Sequence, residues 1–445
     1  MTKIIALIMA LVLCLSGCSF NSSKEEPKEV EKIDGVVNLA KAIYPEESPY
    51  PTPDQYSDEK FDEAYEQWSD QRKAKRELSE NLGSMDVYYE NALTSLLLAG
   101  EEGENIAVSP LNIYLALSLL AESTDGETRE QILTVLGRSD IKDVRTQAKA
   151  LWGANYYDDG CTTNILANSV WLDENFSAKK DWLDELVNDY YASAYSGKTG
   201  SPEMNKALQT WLDEQTGGRL KEAAHGVELS PETLFALAST IYFKGSWDDE
   251  FNKNMTDDQV FHGTDGDENI RMMHQTDIDD YFYGENFSSI QKSMHDVKMV
   301  FILPDEGISP EQLMEDPEAL DYMIRGEAEN KFLLVHASVP KFDLTSNLML
   351  NSVFQQMGIT DVFSQKADFS PVSEEKVFLD SVQHAARVTV DEEGVVAAAF
   401  TVMMAEGAAL PPDEEVDFVL DRPFIFLLKS RDGQILFAGI VNQIS

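Results

Sequence analysis

The spacing of apolar positions changes character along the chain. From Met85 to Leu98 they recur on one face at helical spacing. Asn105-Ile106-Ala107-Val108-Ser109-Pro110 reads as a short strand running into a helix, with Ser109 as N-cap and Pro110 in the first turn. Leu111 to Ala121 is apolar nearly all round, which predicts a buried helix. Thr124-Asp125-Gly126-Glu127-Thr128 breaks it and caps another helix reaching Leu136. Ile165–Leu172 reads as a strand and Lys179–Tyr191 as a helix. A further helix, Asn205–Gly217, carries Leu208, Trp211 and Leu212 on one side and stops at Thr216-Gly217-Gly218. Strand-like runs then dominate: Leu234–Phe243, Val297–Leu303, Phe332–Phe342, Val377–Val390, Pro423–Leu428 and Gln434–Val441. Arg431-Asp432-Gly433 joins the last two, and a helix is expected over Leu348–Met357. Helices early, strands late and no βα alternation predict an α+β fold with segregated layers.

One stretch fits neither pattern. Asp391 to Arg422 separates the β-like runs Ala386–Val390 and Pro423–Leu428, and it is longer than most connections in compact domains. Yet Gly394 to Ala405 holds no charge and no Pro, mostly small or β-branched residues. That composition suits a strand buried on both faces. The segment therefore reads in two ways: a plain core strand or short helix, or an exposed loop able to become a strand.

The N-terminus predicts a targeting segment. Lys3 supplies a positive start, Ile4–Leu15 is apolar but short for a membrane span, and Leu15-Ser16-Gly17-Cys18 closes it. Residues 1–17 are expected to be a signal peptide. Residues 19–57, polar and bearing Pro27, Pro45, Pro49, Pro51 and Pro53, read mostly as a tether. In residues 58–80, Phe61, Tyr65 and Trp68 form one aromatic stripe of a helix, expected to pack on the domain. Residues 18–80 thus form tether and accessory helix, and residues 81–445 the main domain.

Composition narrows the function. With 43% hydrophobic and 10% aromatic residues the chain can bury a large core. Its 79 acidic against 35 basic residues give a net charge of −44. Nucleic acid and anionic membrane surfaces need clustered Lys and Arg, so they are not expected partners; the acidity reads as solubility. An enzyme is the rival class. No nucleophile elbow, HExxH, paired-Cys ligand set or Gly-rich phosphate loop occurs in the sequence. His225, His262, His274, His295, His336 and His384 include no pair at metal-ligand spacing. No metal and no cofactor is expected. A Ser/His/Asp triad would not be legible, its members being distant along a chain.

The motifs resemble those of serpins in type and order. Carrying the likeness are the Asn105–Pro110 stretch, Asn205 to Leu220, Ile241-Tyr242-Phe243-Lys244-Gly245-Ser246-Trp247, Val339-Pro340-Lys341-Phe342, Met357-Gly358-Ile359-Thr360, Ala367-Asp368-Phe369-Ser370 and Arg422-Pro423-Phe424. Together they span about residues 85–445. The 391–422 stretch resembles a serpin reactive loop, with Gly394 at the hinge and Ala397, Ala398, Ala399 and Thr401 following. Val395 and Val396 depart from the usual Thr or Ser and Glu, but both are uncharged and β-branched. Leu15-Ser16-Gly17-Cys18 resembles the bacterial lipoprotein box, which implies cleavage before Cys18 and lipid on its sulfur. Cys161 is then the remaining thiol of the mature chain, so no intramolecular disulfide is expected. The whole is similar to a bacterial, lipid-anchored serpin of the siropin type.

The resemblance implies a fold of helices on a large mixed sheet with further sheets and an exposed loop. It implies suicide inhibition of serine proteases by a monomer at the extracellular face of a bacterial cell. Ser109, Asn112, Ser239 and His384 map to the polar cluster where the main sheet opens, and Trp247 to the insertion point. Two of the four appear exchanged, Asn112 and Ser239 standing where serpins commonly have Ser and Asn. Counting from Gly394 puts the scissile bond at Ala408–Ala409, with Ala409–Leu410 as the alternative. No Lys or Arg lies between Arg387 and Arg422, so the expected targets are elastase-like or subtilisin-like rather than trypsin-like. A non-inhibitory serpin, acting as a binding or storage protein, is the alternative within the family.

Overall fold

The computed structural model describes residues 32–33, 35–52, 58–79, 82–101, 103–216, 218, 226–395 and 414–444. Its helices are α1 Asp58–Ser79, α2 Asp86–Leu97, α3 Pro110–Ser123, α4 Gly126–Leu136, α5 Ile141–Asn155, α6 Lys180–Tyr190, α7 Pro202–Gln215, α8 Pro310–Leu313, α9 Pro317–Arg325 and α10 Asn351–Gln356. One nine-stranded sheet is built from β1 Lys32–Ile33, β2 Val36–Ala40, β4 Tyr157–Asp158, β5 Thr162–Asp173, β6 Ala192–Gly197, β7 Phe235–Ser246, β13 Phe342–Met349, β14 Ser381–Val390 and β15 Gly394–Val395. Its order is β1-β2-β6-β5-β7-β15-β14-β13, with β4 beside β5. The second contains β3 Ile106–Val108, β8 Asp257–Gly263, β9 Gly266–Tyr283, β10 Phe287–Met294, β11 Val297–Pro304, β12 Glu329–Pro340, β16 Glu415–Val419, β17 Phe424–Ser430 and β18 Ile435–Val441. Helices early and strands late give the expected α+β plan.

Alternation along the main-sheet strands sorts their side chains between two cores. Phe235, Leu237 and Ile241 of β7 face the larger core with α2, α3 and α5, whereas Ala236 and Ala238 face the other way. On that second face α7 lays Met204, Leu208, Trp211 and Leu212 across Ala167, Trp171, Ala236, Ala238 and Ala385. Small residues under α7 let the helix lie close. α3 is buried along its whole length, as its all-round apolar surface predicts, and Ser109 caps it with Pro110 in the first turn.

Several elements escape the sequence pattern. The tether reading fails for residues 36–52: β2 pairs with β6 through Val37↔Ser196, Asn38↔Tyr195 and Ala40↔Ala194, and Val36 is buried against the α7 core. The apolar Val36, Val37, Leu39 and Ala40 are enough to add an edge strand to a sheet already formed. β9 has no apolar run: Ile270, Met272 and Met273 are buried, but beyond them both faces are half exposed or exposed and carry Asp277, Asp279 and Asp280, where register pairs with β12 hold the strand. The Phe332–Phe342 run is two strands. The chain changes sheet at Lys341, after Pro340, which has no N–H to continue a ladder. Leu348 and Met349 complete β13, paired with His384 and Gln383, so α10 starts three residues later than the spacing suggests.

The α1 stripe continues past its aromatic part. Phe61, Tyr65 and Trp68 share their face with Arg72, Lys75 and Ser79, and these last three are the buried ones. Arg72 donates to Asp159 Oδ2 from Nε (3.0 Å) and Nη2 (2.7 Å) and to Asp296 Oδ2 from Nη1 (2.8 Å). Trp68 Nε1 donates to the same Asp159 oxygen at 2.7 Å, and Lys75 pairs with Glu47 at 2.9 Å. A helix with a low apolar content is thus fixed by a desolvated guanidinium that bridges both sheets.

Candidate functional site

The two strands at the centre of the main sheet, β7 and β14, are paired in parallel from Ser381↔Ala236 to Ala386↔Ile241. Above that they diverge, and β15 occupies the fork: Val390↔Val395 on one side, Gly394↔Ser246 and Val395↔Gly245 on the other, both antiparallel. Gly394 passes so close to β7 that a Cβ there would lie 2.2 Å from the Gly245 carbonyl oxygen, so a side chain fits there only if the backbone shifts. Val395 is fully buried within the larger core.

The acidic run before the hinge is anchored rather than free. Asp391 Oδ1 accepts from the backbone of Glu393 (2.9 Å) and Gly394 (3.2 Å), closing a turn. Trp247 donates from its backbone N–H to the Glu393 carbonyl (3.0 Å) and from Nε1 to the Asp391 carbonyl (2.9 Å). Phe251 N–H donates to the Glu392 carbonyl, and the buried Glu392 carboxylate takes bonds from Thr256 Oγ1 (2.9 Å) and Lys341 Nζ. Trp247, read from sequence as the insertion point, sits directly on the hinge turn. Glu392, Thr256 and Lys341 were not legible, since ordinary surface residue types gave no signal of burial.

Ser109, Asn112, Ser239 and His384 come together under the closed part of the sheet. His384 and Ser239 are register partners across β14 and β7, and Asn168 of β5 is the partner of Ser239 on its other side. The start of α3 points into this row. Ser109 N–H donates to His384 Nε2 (3.1 Å), and Asn112 N–H to Ser109 Oγ (3.1 Å). Asn112 Nδ2 donates to Ser239 Oγ (2.9 Å) and to the Thr240 carbonyl (2.6 Å). The exchanged amide and hydroxyl thus bond each other directly. With Nε2 accepting, the ring proton lies on Nδ1, which faces Ser239 Oγ at 3.4 Å. Asn168 completes the row, donating to Asn112 Oδ1 at 3.1 Å. It was missed, although an amide inside the apolar run Ile165–Leu172 was the available signal. Gly394 and Val395 are placed as described. Val396, Ala397, Ala398, Ala399, Ala408, Ala409, Leu410 and Cys18 lie outside the described residues.

Burial pushes the His384 imidazole down to about 3, so it is neutral at physiological pH. Below the ordinary histidine value near 6.5 the unfolded chain takes up a proton that the folded chain refuses. Stability is therefore full above that value and falls as pH drops toward about 3, with a limiting slope of about 1.4 kcal/mol per pH unit. His384→Gln, which keeps an acceptor for Ser109, is expected to flatten this part of a urea-unfolding pH profile; an unchanged slope would place the titration elsewhere.

Among the described residues, no group of three or more His, Cys, Asp or Glu could hold a metal, and no helix is long and apolar enough to cross a membrane. Comparison with known proteins adds the family. The profile described as serpin, serine protease inhibitor, matches residues 91–444. A leukocyte elastase inhibitor of Sus scrofa is 29% identical over 382 residues, covering 82% of this chain and 100% of its own. Serpin-Z2A of Triticum aestivum is 28% identical over 364 residues, 76% of this chain and 90% of its own. Among solved structures, the thermophilic serpin tengpin in the native state is similar with a TM-score of 0.72 and 25% identity over 82% of this chain and 95% of that one. A profile spanning both sheets, the polar row and the hinge, together with full-length relatives and a shared architecture, establishes that this chain belongs to the serpin family and has the serpin fold.

Proposed function

We propose that this protein inhibits serine proteases as a suicide substrate. One observation carries the reading. β15 fixes a register with both neighbours, and continuing it pairs residues 394–405 with Ser246–Phe235 of β7, one for one. That span is the run from Gly394 to Ala405 that holds no charge and no Pro, and the first charge, Glu406, falls just beyond the sheet. A loop selected only for exposure has no reason to be uncharged over the length of the strand beside it.

In this mechanism the protease serine attacks the loop at Ala408–Ala409, or at Ala409–Leu410, and an acyl-enzyme forms. Before water releases it, β7 and β14 part and the loop enters antiparallel to both. About a dozen residues then gain ladder bonds at ~0.5–1.5 kcal/mol net each, and the protease is carried ~40 Å along a strand rising ~3.3 Å per residue. The same register sets Thr401 opposite both Ser239 and His384. Its hydroxyl would enter the polar row as those two separate, so Ser109, Asn112, Ser239 and His384 serve as a sheet-opening cluster that exchanges partners instead of losing them.

Shallow apolar pockets of elastase-like or subtilisin-like enzymes suit a small Ala at the cut. A lipid on Cys18 would hold the mature chain, as a monomer, to the outer face of a bacterial membrane, in the manner of a siropin-like lipoprotein. The test is incubation with pancreatic elastase and, separately, trypsin. A denaturant-resistant complex with elastase alone is expected, and mass spectrometry of the released fragment should begin at residue 409 or 410. Turnover of the loop without any complex would overturn the inhibitor reading.

A further inference from the structure

The parallel contact of β7 with β14 ends at Ser381↔Ala236, and just below it two bonds close the foot of the seam between the strands. Asp380 N–H donates to the Phe235 carbonyl (3.0 Å), and Thr233 Oγ1 donates to Asp380 Oδ2 (2.6 Å). Each residue is fixed to its own side. Thr233 is fully buried just ahead of β7, where its N–H donates to the Ser230 carbonyl (3.0 Å), and nearby Leu229 N–H donates to Asn205 Oδ1 of α7 (3.0 Å). Asp380 is held from the other side by α10: Asn351 Nδ2 donates to the Asp380 carbonyl (2.7 Å), and Val382 N–H donates to Asn351 Oδ1 (2.9 Å). Thr233 thus belongs with β7 and α7, and Asp380 with β14 and α10. The hydroxyl–carboxylate bond joins the two sides where the seam ends.

We propose that Thr233 and Asp380 clasp the foot of the seam and set how readily a strand completes its entry, a role that rests on the proposed insertion of the loop. Continuing the β15 register would bring Ala405 opposite Phe235 and Asp380, and Gly407 opposite Thr233. A strand entering there would move its neighbours apart by ~4.8 Å, beyond the reach of a 2.6 Å bond. The two bonds at the foot then differ in fate. The Asp380 N–H can pair again with the backbone of the incoming strand. The bond between the side chains has no such replacement. Ala405 and Gly407 bring no polar side chain, and Glu406 between them would fall on the other face. Higher in the seam, by contrast, Thr401 would supply a hydroxyl as Ser239 and His384 part. The foot is therefore where full entry forfeits a buried bond.

The test needs no protease. The full chain is incubated with synthetic peptides copied from its own loop, and uptake is followed as a mobility shift on a native gel. A peptide of residues 396–407 reaches the foot, whereas one of residues 396–402 stops opposite Ala238, above it. Thr233→Val is expected to take up the long peptide about tenfold faster than wild type, the usual worth of a hydrogen bond to a charged group, and the short peptide at an unchanged rate. Thr233→Ser, which keeps the hydroxyl, should match wild type with both. Asp380→Asn, at a half-exposed position, should lie between Thr233→Val and wild type with the long peptide. An unchanged rate for the long peptide overturns the proposal, read in Thr233→Val or, if that chain does not fold, in Asp380→Asn. Equal acceleration of both peptides is general loosening and overturns it too. The expected uptake by a chain that forms no complex with elastase upholds the clasp and removes only the inhibitor reading. Uptake of neither peptide by any of these chains overturns both.

Discussion

A chain carrying Ala397→Arg is expected to be cut by its target protease and released without a trapped complex. In the proposed insertion, continuing the β15 register would bring position 397 opposite Phe243 of β7 and Val388 of β14, and both are buried in the larger core. An arginine entering there brings an unpaired charge between two desolvated side chains. Such a group costs several kcal/mol, and every ~1.4 kcal/mol slows the step about tenfold. Insertion would then lose its race with deacylation. The substitution leaves the residues at the expected cut, 408–410, unchanged, so cutting is expected to proceed. Ala398→Glu is the control for face: on insertion, position 398 would come opposite half-exposed Tyr242 and Arg387, and trapping is expected to survive. The gel that separates complex from cleaved chain decides both, and equal trapping by the two variants would sink the register argument.

The second large effect concerns stability. Arg72→Ala should cost about 3–5 kcal/mol, the usual result of stranding a buried charge. Asp159 is only 2% exposed and keeps, beyond Arg72, just Trp68 Nε1 and the backbone N–H groups of Cys161 and Thr162. Asp296 is better insured, with Arg76 and Arg431 each at 3.5 Å. Asp159→Asn should therefore destabilise more than Asp296→Asn in urea unfolding. A loss below about 1 kcal/mol for Arg72→Ala would make this an ordinary surface pair.

What the sequence reveals depends on how each part is stabilised. α3 was legible because its burial is written in apolar residues all round and its start in Ser109 and Pro110. Gly394 stood out in the sequence because it opens an uncharged, Pro-free run unusual in a connection, whereas Val396 to Ala399 lie outside the described residues. β9 was hidden, since a strand held by backbone pairing with β12 does not need an apolar face. The docking of α1 was half hidden: the aromatic stripe was visible, but Arg72 and Lys75 look like solvent-facing residues until Asp159, Asp296 and Glu47 are brought to them from far along the chain. Asn168 joins the polar row for the same reason, because its partner Asn112 is supplied by a helix and not by a neighbouring residue.

The parallel contact between β7 and β14 has a consequence for supply. If the loop enters that seam as proposed, it exchanges one parallel contact for two antiparallel ones, bonded on both edges. Each molecule would then act a single time. A cell making it would have to match production to the number of adversaries it meets, as with ammunition rather than with a tool.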